Sequence, residues 1–145
     1  MSCSENNDLF NSINLKRAIS PYDHATGDAA VTSEIIDMQG NGALVFAIAT
    51  GSLADADATF AVLVEESDDS GMSGKNTVAA GDLLGTAALA SFIFSDDNKC
   101  FKVGYKGVKR YVTLTITPTG NTGAALVCAI AILVPRLQPA ANPPA

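Results

Sequence analysis

The residues able to do chemistry are few and scattered. A single histidine, His24, lies in SPYDHATGD, with Asp23 beside it and Asp28 four residues on. Histidine among carboxylates suits proton transfer or metal ligation. A ligand set needs more converging donors than this segment supplies, so a solvated loop histidine is expected. Carboxylates gather at Asp55 and Asp57 in LADADAT, and at Glu65, Glu66, Asp68 and Asp69 in EESDD. Oxygen-rich loops of this kind hold calcium in some proteins. The D-x-D-x-D-G loop closed by a glutamate is absent here, and solvated acidic loops are the expectation. The serines stand outside any G-x-S-x-G elbow, and neither a P-loop nor a dinucleotide fingerprint is present. Cys3, Cys100 and Cys128 are odd in number, widely spaced and without a C-x-x-C pair. They predict neither a disulfide framework nor a zinc site. Cys128 sits in an apolar run and is expected to be a buried thiol. No enzyme activity, cofactor or metal is expected.

The basic residues are more informative. Lys99, Lys102, Lys106, Lys109 and Arg110 place five of the nine cations within twelve positions, and Lys16 and Arg17 add a pair near the start. Two readings stay open: charges that protect a sheet edge from edge-to-edge pairing, and a face that docks on an acidic partner. The formal net charge of −6 disfavours duplex nucleic acid and polybasic membrane attachment. The longest apolar stretch, residues 124–134, is too short for a membrane helix. The opening MSCSENND has no basic segment followed by an apolar one, so no export signal is read there. A soluble protein assembled in a reducing cytoplasm is expected.

These residues must be positioned by strands. The chain has 145 residues, 48% of them apolar, enough for one domain with one core. Residues 43–50, 58–66, 88–94, 110–117 and 124–134 read as strands from period-two alternation or β-branched apolar runs between turn residues. The run 124–134 is continuous and predicts a central strand buried on both faces. Residues 31–38 and 100–105 are weaker candidates. The segment 100–105 leads through Lys106 and Gly107 into 110–117 as an expected hairpin, and 83–90 carries helical spacing. Residues 20–30, 67–82 and 135–145 read as loops, the last holding four of the six prolines. The expected fold is all-β: a single-domain β-sandwich or small barrel of seven or eight strands, with jelly-roll and immunoglobulin-like orders both open. An N-terminal arm (1–12) and an extended Pro-rich tail (135–145) flank a core (13–134). Phe46, Ile48, Val62, Val64, Leu114, Ile116, Val127 and Ile130 are expected to point inward.

Taken together, NLKRAISPYDHATGDAAVTSEIIDMQG, ATGSLADADATFAVLVEESDD and GYKGVKRYVTLTITPTGNTGAAL resemble a group of small tailed-phage head-decoration proteins. The likeness runs from about Asn14 to Val134. It implies a capsid cement protein on the outer surface of the phage head, made in the host cytoplasm. It implies a homotrimer that contacts the major capsid protein and has no small-molecule substrate. The interface expected on this reading takes Leu9, Phe10 and Ile13 from one end, and Arg136 and Leu137 from the other. Lys16, Arg17, Lys102, Lys106, Lys109 and Arg110 supply its charge. The alternative is a receptor- or glycan-binding β-sandwich of a phage tail or fibre, which would present exposed aromatics.

Overall fold

In the segment 110–119, Val112, Leu114 and Ile116 alternate with threonines, and the strand they form is the axis of one of two sheets. The computed structural model describes residues 8–24 and 27–136. In chain order its elements are β1 (Asn14–Asp23), β2 (Val31–Thr32), β3 (Ile36–Asp37), β4 (Asn41–Leu53), β5 (Thr59–Ser67), β6 (Asn76–Thr77) and β7 (Leu83–Leu84). There follow α1 (Ala87–Ala90), β8 (Phe92–Ile93), β9 (Cys100–Tyr105), β10 (Tyr111–Thr119) and β11 (Ala125–Pro135). The first sheet runs β1-β11-β4-β9-β7. The second runs β2-β10-β5-β6, with β3 also on β10 and β8 also on β5.

The pairing is antiparallel throughout, and it couples the beginning of the chain to its end. β1 pairs β11, β2 and β3 pair β10, β4 pairs β9, and β5 pairs β6 and β8. This is one long hairpin rolled into a sandwich, the jelly-roll order. It decides between the two sandwich orders left open by strand pattern.

The rolled order also corrects the expected hairpin of 100–105 with 110–117. Those segments lie in opposite sheets, and residues 106–110 cross between them. Gly107 is required at that crossing, because a Cβ there would stand 2.5 Å from the Tyr105 hydroxyl. The expected strand 88–94 is instead a helical turn, α1, followed by the short β8. Thr86 caps α1 by accepting from the Leu89 amide. Residues 20–23, expected in a loop, complete β1, an edge strand where Pro21 costs no ladder bond. The excursion 67–82 is tied by Asp69, whose carboxylate accepts from the amides of Gly71 and Ser73.

The core lies between the sheets. Phe46, Ile48, Val62, Val64, Leu114, Ile116 and Val127 are buried there as expected. On β11 the inward residues include Ala129 and Ala131, which stand beside Ile48 and Phe46 of β4. Small side chains next to large ones let the layers interdigitate at core density. Phe92 stacks on Phe60 and Phe101 and closes one end. Ile130 is a correction. β11 is buried on one face only, and Ile130 points outward with 42% exposure. Cys128 shares that outer face and is partly exposed rather than buried.

Candidate functional site

Among the described residues nothing packs on the outer side of the first sheet, so its cross-strand rows are open to view. One row runs Leu15–Ile132–Val45–Gly104–Leu84 across all five strands. At about 4.8 Å per strand it spans about 19 Å. The neighbouring row runs Arg17–Ile130–Ala47–Lys102, apolar at its centre and cationic at both edges. Leu15, Leu84 and Ile130 are each more than two-fifths exposed. Neither row contains an acidic residue, although the chain is acidic overall. Two glycines leave room for leucines on this face: a Cβ at Gly104 would meet Leu84, and one at Gly51 would meet Leu126. The outer face of the second sheet differs. Thr115 stands beside Thr32 and Leu63, Thr113 beside Glu65, and Thr117 beside Ala61.

At one end of the first sheet lies a groove of about 450 Å³. The turn 38–42 forms one wall and the crossing loop 105–110 the other, and Arg136 follows β11 into it. Lys106, Lys109, Arg110 and Arg136 therefore line one concavity. The structure brings Arg136, distant in sequence, to three of the expected interface residues that are neighbours in sequence, Lys106, Lys109 and Arg110. Arg110 is held by a two-pronged bridge to Asp37, both contacts 2.9 Å, and Lys109 by Asp68. Among the described residues Lys106 and Arg136 make no ion pair.

The other expected interface residues lie elsewhere. Leu9 and Phe10 sit at a single 3-10 turn (Phe10–Ser12), about two-thirds exposed, and Ile13 is half-buried beside them. Lys16 reaches the Ile35 carbonyl at 3.4 Å. Arg17 pairs with Glu34. Lys102 stands on the outer face of the first sheet, away from the groove lining. Leu137, with the rest of the expected tail beyond Arg136 and residues 1–7 of the arm, lies outside the described residues.

The residues first considered for chemistry are occupied separately. The Ser20 carbonyl lies 2.7 Å from His24 Nε2, and the Tyr22 ring lies 4.0 Å from the imidazole centroid to centroid. Asp23 accepts from the Ala125 amide and Asp28 from the Asn121 amide. Asp55 accepts from the amide and hydroxyl of Thr122 and from the Asp57 amide. These bonds, the Thr122 hydroxyl first, hold the Asp55 carboxyl well below the ordinary range, while its hydrogen bond and charge raise that of Asp57. Among the described residues no three side chains of the ligating types converge. Sequence reasoning missed the outer face of the first sheet. Its signal is present in 124–134, where both alternating sets are apolar, a pattern that double-sided burial produces equally.

No protein-family model matches the chain, and no curated protein sequence matches it. Several solved structures align with it at low identity. One contains the CBM22-1–GH10 modules of the Clostridium thermocellum endo-1,4-β-D-xylanase 10B complexed with xylohexaose. It shows 16% identity and a TM-score of 0.47, covering 92% of this chain and 28% of that one. A second is the CBM22-1 xylan-binding domain of Paenibacillus barcinonensis Xyn10C, with 14% identity and a TM-score of 0.43, covering 85% and 83%. A third is infectious bursal disease virus, Gx strain, with 10% identity and a TM-score of 0.45, covering 84% of this chain and 32% of that one.

Proposed function

We propose that this chain is a non-catalytic structural protein of a tailed-phage virion, a cement that binds the outside of the head. The single observation that carries the reading is the pair of exposed cross-strand rows on the outer face of the first sheet, Leu15–Ile132–Val45–Gly104–Leu84 and Arg17–Ile130–Ala47–Lys102, largely apolar and without a carboxylate. Exposed apolar surface of this breadth marks an interaction site. It is assigned here to contact between copies, a trimer as the sequence resemblance implies. The exposed pair Leu9 and Phe10 serves as an anchor on the major capsid protein. Burying either side chain contributes at most about 1.5–3 kcal/mol, and many copies per shell multiply so modest a contact into firm attachment. Quantitative mass spectrometry of purified virions tests the assignment. Hundreds of copies per particle are expected, and a few dozen or fewer would indicate a tail or fibre component.

One observation favours the alternative of glycan recognition by a tail or fibre module. Tyr22 is 59% exposed and stands at a cleft of about 280 Å³ that also holds Ser20, His24, Thr32 and Glu34. An exposed ring beside polar groups is the usual sugar platform. On this reading Tyr22→Ala abolishes virion adsorption to host cells; on the cement reading adsorption is unchanged.

A further inference from the structure

We propose that the groove between the turn 38–42 and the loop 105–110 is a binding site for an acidic, extended segment of a partner protein. The proposal concerns a second surface, at the end of the first sheet, and does not depend on the outer face binding another copy.

Four of the nine cations of an acidic chain line this one concavity. Their charges are unequally available. Asp37 and Asp68 already match Arg110 and Lys109, so those two side chains are braced as walls. Lys106 and Arg136 remain to meet a ligand. Val108, at the tip of the crossing loop, is 96% exposed and offers one apolar contact at the rim. The turn wall carries Gly40 and Gly42, so a backbone can approach closely there. Gly40 has a φ of +79°, and Arg136 is anchored by its amide donating to the Gly40 carbonyl.

Two available cations, one apolar tip and low glycine walls suit a peptide with one or two carboxylates and a small apolar residue. They do not suit a polyphosphate backbone, whose closely spaced charges would also meet Asp37 and Asp68. A single contact of this size is weak, and identical copies on a shell give it avidity.

The test is a nitrogen-15 NMR titration of the full chain with a synthetic ten-residue peptide carrying two Asp and one Val among Gly and Ser. The Asn-for-Asp analogue and a ten-nucleotide single-stranded DNA run in parallel. The acidic peptide is expected to shift the amides of Gly40, Gly107, Val108 and Arg136 with saturation, and the neutral analogue to leave them in place. Lys106→Glu with Arg136→Glu should weaken binding on the order of ten-fold or more while keeping a dispersed, folded spectrum. Lys99→Gln, before the opposite end of β9 and paired with Asp96, should bind as the parent does. Absence of shifts at millimolar peptide, shifts centred elsewhere, or unchanged affinity in the double variant would overturn the site. Equal or tighter binding of the DNA at the same amides would replace the peptide with a nucleic acid. Light scattering on the same samples reads self-association separately, so loss of the groove and loss of the trimer are distinguishable.

Discussion

Tyr105 and Glu66 join the two sheets. The Tyr105 hydroxyl, carried by β9 of the first sheet, donates to the Glu66 carboxylate on β5 of the second at 2.6 Å. The same oxygen accepts from the Lys109 amide at 3.0 Å, which fixes the crossing loop beneath the groove. Burial, then the Glu66 bond, pushes the phenol well above the ordinary tyrosine value, so it stays protonated and donates at every working pH. Tyr105→Phe leaves both partners without this contact and should cost about 1–3 kcal/mol. The urea midpoint reads this directly, and an unchanged midpoint would show that the tie contributes nothing. Gly107→Ala should also destabilise, because its Cβ collides with the same ring.

Acid should weaken the fold below about pH 4. Thr122 lowers the Asp55 carboxyl, Arg110 that of Asp37, and Lys99 that of Asp96. Each holds its proton less tightly folded than unfolded, so the unfolded chain binds more protons as pH falls through the ordinary aspartate value near 4. The stabilisation is present above that value and is lost on the way down. Asp57, raised by Asp55, has the opposite sign and offsets part of the loss in the same window. Thr122→Val should flatten the fall of the urea midpoint between pH 5 and 3 (approximate bounds from the ordinary aspartate value). A profile identical to the parent would remove Asp55 from the account.

Adjacent residues of β11 should behave oppositely. Ala129 is fully buried beside Ile48, and Ala129→Leu should overpack the core by about 1–3 kcal/mol. Ile130 faces outward, so Ile130→Lys should abolish the self-association proposed for this face in light scattering and, at dilutions where the parent is also monomeric, alter the unfolding free energy by less than about 1 kcal/mol. Self-association that survives Ile130→Lys would move the proposed contact between copies off this face.

The strand pattern was legible because alternation at 110–117 and 58–66 follows directly from a half-buried sheet. The partner of each strand was not. In a rolled hairpin neighbours in sequence lie in opposite sheets, so Lys106 and Gly107 look like a hairpin turn while performing a crossing. The cationic run was visible as a cluster, yet sequence divides it wrongly. Lys99 is paired with Asp96 and Lys102 lies on the outer face of the first sheet, whereas Arg136, distant in sequence, completes the groove. Ile130 shows the same limit: a both-sides-apolar strand is buried twice or exposed once, and only the packing around it, with Ile130 42% exposed among the described residues, tells which.

The exposed anchors can be tested without touching the core. Leu9→Ala with Phe10→Ala removes side chains from a turn with no buried residue, so the melting curve should not move. Affinity for bare phage heads should fall by about 1–3 kcal/mol per anchor. Full affinity in the double variant would transfer attachment to the sandwich itself.

The most direct measurement is saturation binding of the purified chain to heads assembled without it, counted by co-sedimentation and quantitative mass spectrometry. The cement account predicts saturation at hundreds of copies per head, in a fixed ratio to the major capsid protein. No binding, or saturation at a few dozen copies confined to tailed particles, would contradict it.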